Sequence, residues 1–220
     1  MLGYTFYWSM VWEQMPRLLA GAWVTIQITV LSVAIGTMLA MPMAVARQRD
    51  RGAANRIATS WVELSRNTPV LFQVYLMYFG LGAMGVNISS YAAVLIALSF
   101  NNAGYLTEIF RGGLNAIPRQ QIAAAHALGI TSFQGFRYII FPQVMRAVFF
   151  SFVTQVIWAM LNTSLGMLIG LRDLAGEANY AQSLTYRTFE FFIVTAGMYY
   201  VLAKGLEYGS RFLFWRYFRT

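Results

Sequence analysis

The sequence contains no cysteine, and its single histidine is His126. Disulfides and thiolate metal sites are therefore excluded, as are a histidine-containing metal cluster and a catalytic triad with a histidine base. The nucleotide-binding pattern G-x-x-x-x-G-K-[ST] is also missing. We therefore expect that this chain is not an enzyme and that it holds neither a metal nor a cofactor.

Charged residues are scarce as well. They form 11% of the chain, whereas hydrophobic residues form 58%, and a soluble domain carries about 25% charged residues. This composition predicts an integral membrane protein, and 220 residues allow one membrane domain, 1–220, with short loops. The net charge of +8 would favour nucleic acid as the partner of a soluble chain. In a membrane protein basic loops account for it, so the predicted partner is the lipid bilayer and not nucleic acid.

Stretches without charge locate the membrane spans. We predict an all-α protein with about five of them, and a turn that contains several glycines and Asn87 separates the second from the third. The last span is short in apolar residues and requires Lys204 to extend its amine toward the membrane surface. Residues 1–17 precede the first span, and their tyrosines and tryptophans predict an interfacial segment. The predicted spans are 18–46, 60–81, 90–112, 147–171 and 191–203.

The arginines are distributed unevenly between the two ends of these spans. Most of them lie in the first loop, in the segment between the third and fourth spans, and in the C-terminal tail. Positive residues favour the cytoplasmic side of a membrane. The distribution therefore predicts a multi-pass protein with an extracytoplasmic N-terminus and a cytoplasmic C-terminus.

A short helix is predicted at 118–129, between the third and fourth spans. It opens at Pro118 and ends at Gly129, which is typical of a helix start and a left-handed C-terminal cap. At ~1.5 Å per residue it is about half as long as the hydrocarbon core is thick, so it lies outside the membrane, on the cytoplasmic side. An amphipathic helix on the lipid headgroups is the alternative, but the alanine-rich face favours docking to a protein partner.

The spacing within this loop resembles the EAA loop of the membrane subunits of ATP-binding-cassette importers. The residues that match the motif are Ala124, Ala125, Gly129, Ile139, Phe141 and Pro142. Over most of the chain the sequence is similar to the polar amino-acid branch of that family, with matching segments at 66–82, 105–121, 141–147 and 162–165. Two positions depart from the pattern, since Ala123 replaces the glutamate that gives the motif its name and Asn162 stands where an acidic residue is frequent.

The resemblance implies the permease subunit of a type I importer in a bacterial cytoplasmic (inner) membrane. The 118–129 helix would then be a coupling helix that docks on a cytoplasmic ATPase dimer, and that dimer would carry ATP and magnesium. A second permease subunit, identical or similar, and an extracytoplasmic solute-binding protein are the other implied partners. The implied ATPase-coupling residues are Arg119, Ala124, Ala125, His126, Gly129 and Pro142.

Polar side chains within the spans are the candidates for solute binding. Ser151, Gln155 and Asn162 lie roughly on one face of the fourth span, and amides offer both the donors and the acceptors that an amino acid requires. Hydrogen bonding between helices is the alternative role for each of them. Arg66 is a candidate because the segment after it breaks a helix at membrane depth. The full set is Arg66, Asn101, Asn102, Ser151, Gln155, Asn162, Thr163 and Ser164.

The predicted function is therefore uptake of a polar amino acid or an amino-acid-like solute. An ion-coupled secondary transporter is one alternative, which the shortage of carboxylates within the spans disfavours. A membrane scaffold that moves no solute is another, because a docking helix alone would allow it.

Overall fold

The computed structural model of the chain describes residues 4–48 and 52–218. These ranges contain helices and short connections but no β-strand, so the predicted all-α class is confirmed. The α-helices are α1 Trp8–Ala46, α2 Ala53–Asn67, α3 Val70–Tyr75, α4 Leu81–Ala83, α5 Ser90–Asn115, α6 Arg119–Ala127, α7 Ser132–Gly135, α8 Phe141–Asn162, α9 Leu174–Thr185 and α10 Thr188–Phe218. A π-helix at Leu76–Gly80 joins α3 to α4, another at Phe136–Ile140 joins α7 to α8, and a 3-10 helix at Thr163–Ile169 follows α8.

Within the described residues, four helical stretches are long and apolar enough to cross a membrane, judged by length and composition. They are Trp8–Ala46, Ser90–Asn115, Ser132–Ile169 and Thr188–Tyr217. The first three correspond to the predicted spans 18–46, 90–112 and 147–171. α1 begins at Trp8, so much of the predicted N-terminal segment 1–17 is helical and continuous with the first span.

The predicted second span at 60–81 is interrupted within its length, where the sequence after Arg66 indicated a helix break. α2 ends at Asn67, and a new helical stretch starts at Val70 and runs to Ala83. Pro69 lies between them, and proline can neither donate a backbone hydrogen bond nor allow helical geometry easily at the residue before it. Thr68 is accordingly extended, with φ −112° and ψ 136°.

The last helix, α10, is much longer than the predicted span at 191–203 and runs on past Arg211, as a crossing at that place required. Glu207 contacts Lys204 at 2.6 Å and Arg211 at 2.7 Å. Because residues three and four apart are neighbours on a helix surface, these opposite charges are paired along one side of α10. The charged residues at 204, 207 and 211 therefore do not end α10, which continues to Phe218.

α5 lies at the centre of the fold and packs closely against its neighbours through glycines. A Cβ atom built on Gly104 would lie 1.7 Å from Ser65 Oγ on α2. A Cβ on Gly113 would lie 2.5 Å from Val148 on α8, and one on Gly36 of α1 would lie 2.8 Å from Asn102. Membrane helices approach most closely where such small residues meet, and here they draw α1, α2 and α8 onto α5.

A buried aspartate joins the elements that follow α8. Asp173 is fully buried and caps α9, with Gly176 N donating to its Oδ1 at 2.9 Å. Its Oδ2 accepts hydrogen bonds from the hydroxyls of Thr25, Thr163 and Tyr199, at 3.4, 2.9 and 3.4 Å. Burial raises the pKa of this carboxyl above its ordinary value. One side chain thereby connects α1, the 3-10 helix, α9 and α10.

Candidate functional site

The break between α2 and α3 is held together by side-chain amides. In a continuous helix the carbonyl of Ser65 would accept from the N–H of residue 69, which Pro69 lacks. Instead, Gln73 Nε2 and Asn101 Nδ2 each donate to Ser65 O at 2.9 Å. Gln73 Nε2 also lies 3.1 Å from Thr68 O and 2.8 Å from Thr68 Oγ1. Two carbonyls beside the break, Ser65 O and Thr68 O, thus find donors inside the protein.

Two adjacent cavities open beside this break, with volumes of about 470 Å³ and 430 Å³. Both are lined by Val70, Asn101, Tyr105 and Trp158, which makes them neighbours. The first is further lined by Arg66, Asn67, Thr68, Pro69, Leu71, Asn162 and Leu165, and the second by Ile109, Ser151, Thr154 and Gln155. The walls therefore come from α2, the break, α3, α5, α8 and the 3-10 helix.

Arg66 supplies positive charge to the first cavity. Its side chain is 40% exposed, its Cζ atom lies 5.2 Å from the centroid of the Tyr105 ring, and its Nη1 lies 3.9 Å from Glu108 Oε2. Glu108 is shared, because it also pairs with Arg47 and, at 2.8 Å, with Arg111. One carboxylate facing three guanidinium groups leaves a net positive potential at the cavity wall. Arg66 on α2 thus faces Glu108 on the neighbouring helix α5.

Five of the eight predicted solute residues lie at these cavities. They are Arg66, Asn101, Ser151, Gln155 and Asn162. Their convergence follows from the contacts of α5 with α2, α3 and α8, which no single helical pattern specifies.

The other three predicted residues are placed elsewhere. Asn102 is 1% exposed, accepts from Gln155 Nε2 at 2.9 Å and donates to Ser32 Oγ at 3.3 Å, so it joins α1, α5 and α8. Thr163 is buried and bonds to Asp173. Ser164 is partly exposed, and its hydroxyl donates to Leu161 O at 2.7 Å within the same helical segment. The structure gives Asn102 and Thr163 the interhelical role that was the alternative.

Two aromatic residues of the cavities, Tyr105 and Trp158, were missed from the sequence. Tyr105 lies four residues after Asn101, and Trp158 lies four residues before Asn162, so each shares a helical face with a predicted polar residue. That spacing was the available signal. It is a weak one, because aromatic side chains on membrane helices commonly face lipid.

The predicted short helix is present as α6, Arg119–Ala127. Gly129 adopts φ +74°, and Ile130 N donates to Ala125 O at 3.0 Å. This six-to-one hydrogen bond with a left-handed residue is the Schellman arrangement, which fits the predicted left-handed cap. Ala124 is exposed, whereas Ala125 is 5% exposed.

Exposed apolar side chains lie beyond this cap. Leu128, Phe133 and Tyr138 are 79%, 72% and 70% exposed, and a cavity of about 470 Å³ lies between α6, α7 and the following π-helix. Pro142 is in the first turn of α8. The side chains of Arg119 and His126 lie outside the described parts of the chain. This loop thus presents apolar side chains and a groove on one side of the molecule.

Comparison with known proteins identifies the architecture. A sequence profile of the binding-protein-dependent transport system inner membrane component family matches residues 32–206. The octopine transport system permease protein OccM of Rhizobium meliloti is 35% identical over 198 residues, which cover 86% of this chain and 81% of that protein. The glutamine transport system permease protein GlnP of Escherichia coli K12 is 30% identical over 206 residues, covering 92% and 94%.

A solved structure is similar in fold as well. The crystal structure of an amino acid ABC transporter with histidines contains a chain that superposes with a TM-score of 0.87 at 30% identity. The superposition covers 97% of this chain and all of that chain.

Proposed function

The chain belongs to the family of inner membrane components of binding-protein-dependent transport systems, and we propose that it is the permease subunit of an ATP-driven importer for a polar amino acid or a similar solute. The observation that carries the proposal is the pair of cavities at the helix break, where a guanidinium and several amides meet at membrane depth. Octopine, glutamine and amino acids in general are named for the relatives. In this account ATP hydrolysis belongs to partner subunits.

The chemistry of the cavities suits a zwitterion. The Arg66 guanidinium can pair with a carboxylate, and the amide oxygens of Asn101, Gln155 and Asn162 can accept from an ammonium group. The indole and phenol rings of Trp158 and Tyr105 offer apolar walls for the rest of the solute. The low carboxylate content of the cavities disfavours an ion-coupled carrier, in which acidic residues commonly bind the coupling ion.

We further propose five membrane crossings, because α2 and the stretch Val70–Ala83 together make the second one. Arg47, at the end of α1, pairs with Glu108 in the second half of α5, and α2 starts soon afterwards on that side. Val70 lies beside Asn101 in the middle of α5, and Val74 shares a packed cluster with Val94, nearer the start of α5. The chain therefore passes from one side to the other through the break. Five crossings put the two termini on opposite sides of the membrane, and the arginine-rich loops favour the cytoplasm for the C-terminus.

Cysteine labelling tests this topology, because the natural chain has no cysteine. Exposed positions are used: Asn87→Cys and Asn179→Cys should react with an impermeant maleimide on intact cells, whereas Leu128→Cys and Tyr217→Cys should react only after the membrane is opened. Labelling of residue 217 from outside would remove one crossing and contradict the architecture.

The proposed partners follow from the exposed loop and the family. Two cytoplasmic ATPase subunits would bind α6 and the adjoining groove, a second permease subunit would complete the pathway, and a binding protein would deliver solute at the extracytoplasmic side. A scaffold that moves no solute would have no use for polar cavities at a helix break. Their presence favours transport.

Solute contact is tested with Asn162→Ala, because Asn162 is partly exposed and lines the first cavity. Loss of one hydrogen bond to a bound solute should weaken apparent affinity by about 5–150-fold, or roughly 1–3 kcal/mol. Transport and ATP hydrolysis are measured in proteoliposomes with the ATPase and binding protein, and basal hydrolysis should not change. Ser164→Ala is the matched control, since Ser164 is also polar and partly exposed but lines neither of the two cavities.

Asn162→Asp gives the same site a negative charge and should shift preference toward cationic solutes. Unchanged affinity and selectivity in both Asn162 variants would place the solute site elsewhere. Absence of ATP-dependent uptake by the unmodified complex would reject the proposed function itself.

A further inference from the structure

The amide of Gln73 is used in only one orientation. Its Nε2 faces three acceptors, namely Ser65 O, Thr68 O and Thr68 Oγ1, all within 3.1 Å. The reverse orientation would turn an acceptor toward acceptors. Gln73 Oε1, by contrast, is buried and has no hydrogen-bond partner among the described residues. A buried acceptor without a partner costs stability, so the useful part of this side chain is its donor.

The carbonyl of Ser65, before the break, is held by side chains that lie after it. Because Pro69 has no N–H, Ser65 O depends on the side chains of Gln73, from α3, and Asn101, from α5. Gln73 is 7% exposed and does not line either polar cavity. Asn101 lines both of them. One of the two donors therefore lies outside the two polar cavities, and the other stands where a solute would bind.

A bound solute would affect the two donors to Ser65 O differently. Asn101 can turn its Nδ2 donor toward the solute carboxylate only if Ser65 O keeps another donor, since an unpaired buried carbonyl at membrane depth is costly. Gln73 is that donor. Resting on the proposed function, we propose that Gln73 is a positioning residue which holds the Ser65 carbonyl and thereby leaves the Asn101 amide available to the solute.

The experiment measures solute-dependent uptake by the full complex in proteoliposomes, with Gln73→Met as the variant. Methionine has a similar length and no donor, so Asn101 alone must hold Ser65 O. The KM for solute should rise roughly tenfold, with little change in maximal rate or basal ATP hydrolysis. Gln182→Met is the matched control, because Gln182 Oε1 is also buried and unpartnered but lies on α9, away from the break.

The decisive comparison is the double variant Asn101→Ala with Gln73→Met. If Gln73 acts through Asn101, the increase in KM caused by Gln73→Met should be much smaller when residue 101 is alanine. A purely structural role for Gln73 would instead lower the yield of complex, or change maximal rate, and its effect would add to that of Asn101→Ala. Additive effects on KM, or an unchanged KM in Gln73→Met, would overturn the proposal while leaving transport itself established.

Poor assembly of Gln73→Met would be resolved with Gln73→His, whose imidazole keeps an N–H donor at a similar reach. Recovery of the assembled complex with the KM of the unmodified protein would support the hydrogen-bond role of Gln73. Continued poor assembly, or assembly with a KM raised tenfold, would reject that role.

Discussion

Asp173→Leu should prevent recovery of folded protein, whereas Asp173→Asn should be recovered in nearly normal yield. The leucine would leave the N–H of Gly176 and the hydroxyls of Thr25, Thr163 and Tyr199 without their buried acceptor. Each of these four unpaired groups, of which the Gly176 N–H is the cap of α9, costs about 1–3 kcal/mol. The sum is comparable with the whole stability of a typical protein, about 5–15 kcal/mol.

Asparagine keeps the shape and the cap, and its Nδ2 can donate to the hydroxyl oxygens, which accept as well as donate. It also avoids a cost that aspartate bears. The pKa of Asp173 is raised by burial, so its ionised form is disfavoured in the folded protein. Stability should therefore fall as pH rises from the unfolded pKa, ~3.9, through the higher folded pKa, where the unfolded state binds fewer protons than the folded state. The Asp173→Asn variant should lose this dependence.

Thermal unfolding of the purified complex in detergent, followed between mildly acidic and neutral pH, measures both effects. Glu177→Leu is the control, because Glu177 also lies in the first turn of α9 but pairs only with Arg172, at 3.4 Å and near the surface. That pair should contribute less than about 1 kcal/mol. Normal recovery of Asp173→Leu would show that the four donors find other partners.

Features encoded by neighbouring residues were predictable from the sequence. The charge-free stretches located three long helices, and Pro118 with Gly129 located α6 and its cap, because these signals act within a few residues. The break at Pro69 was visible too, but the apolar residues on both sides suggested one span through it. Hydropathy averages over a window and does not register one missing N–H.

Features that depend on distant partners were not predictable. The adjacent residues Asn101 and Asn102 have different surroundings. Asn101 faces the cavities, whereas Asn102 is buried against Ser32 and Gln155. A helical pattern gives the angle between two residues but not which neighbour lies at each angle. Asp173 was missed for the same reason, because its partner Thr25 is 148 residues away in sequence.

Gly129→Asp should insert and fold but lose most of the ATP hydrolysis that solute and binding protein stimulate. Asp tolerates the left-handed conformation of Gly129, φ +74°, at a cost of roughly 1 kcal/mol, so α6 should persist. A Cβ atom at this position meets nothing within 4 Å among the described residues. The new carboxylate therefore projects away from the permease, into the space that the ATPase occupies in the proposed complex. Its effect must come from that contact.

Gly85→Asp is a closely matched control. Gly85 also has a positive φ, +85°, and its Cβ would likewise meet nothing within 4 Å, but it lies in the 80–90 turn on the proposed extracytoplasmic side. The backbone strain and the added charge are the same, and only the side of the membrane differs. Reconstituted complexes of both variants are compared for stimulated hydrolysis and for co-purification of the ATPase. Equal stimulation in Gly129→Asp and Gly85→Asp would mean that the 118–129 helix does not couple to the ATPase, whereas a loss confined to Gly129→Asp locates the coupling contact at the cap of α6.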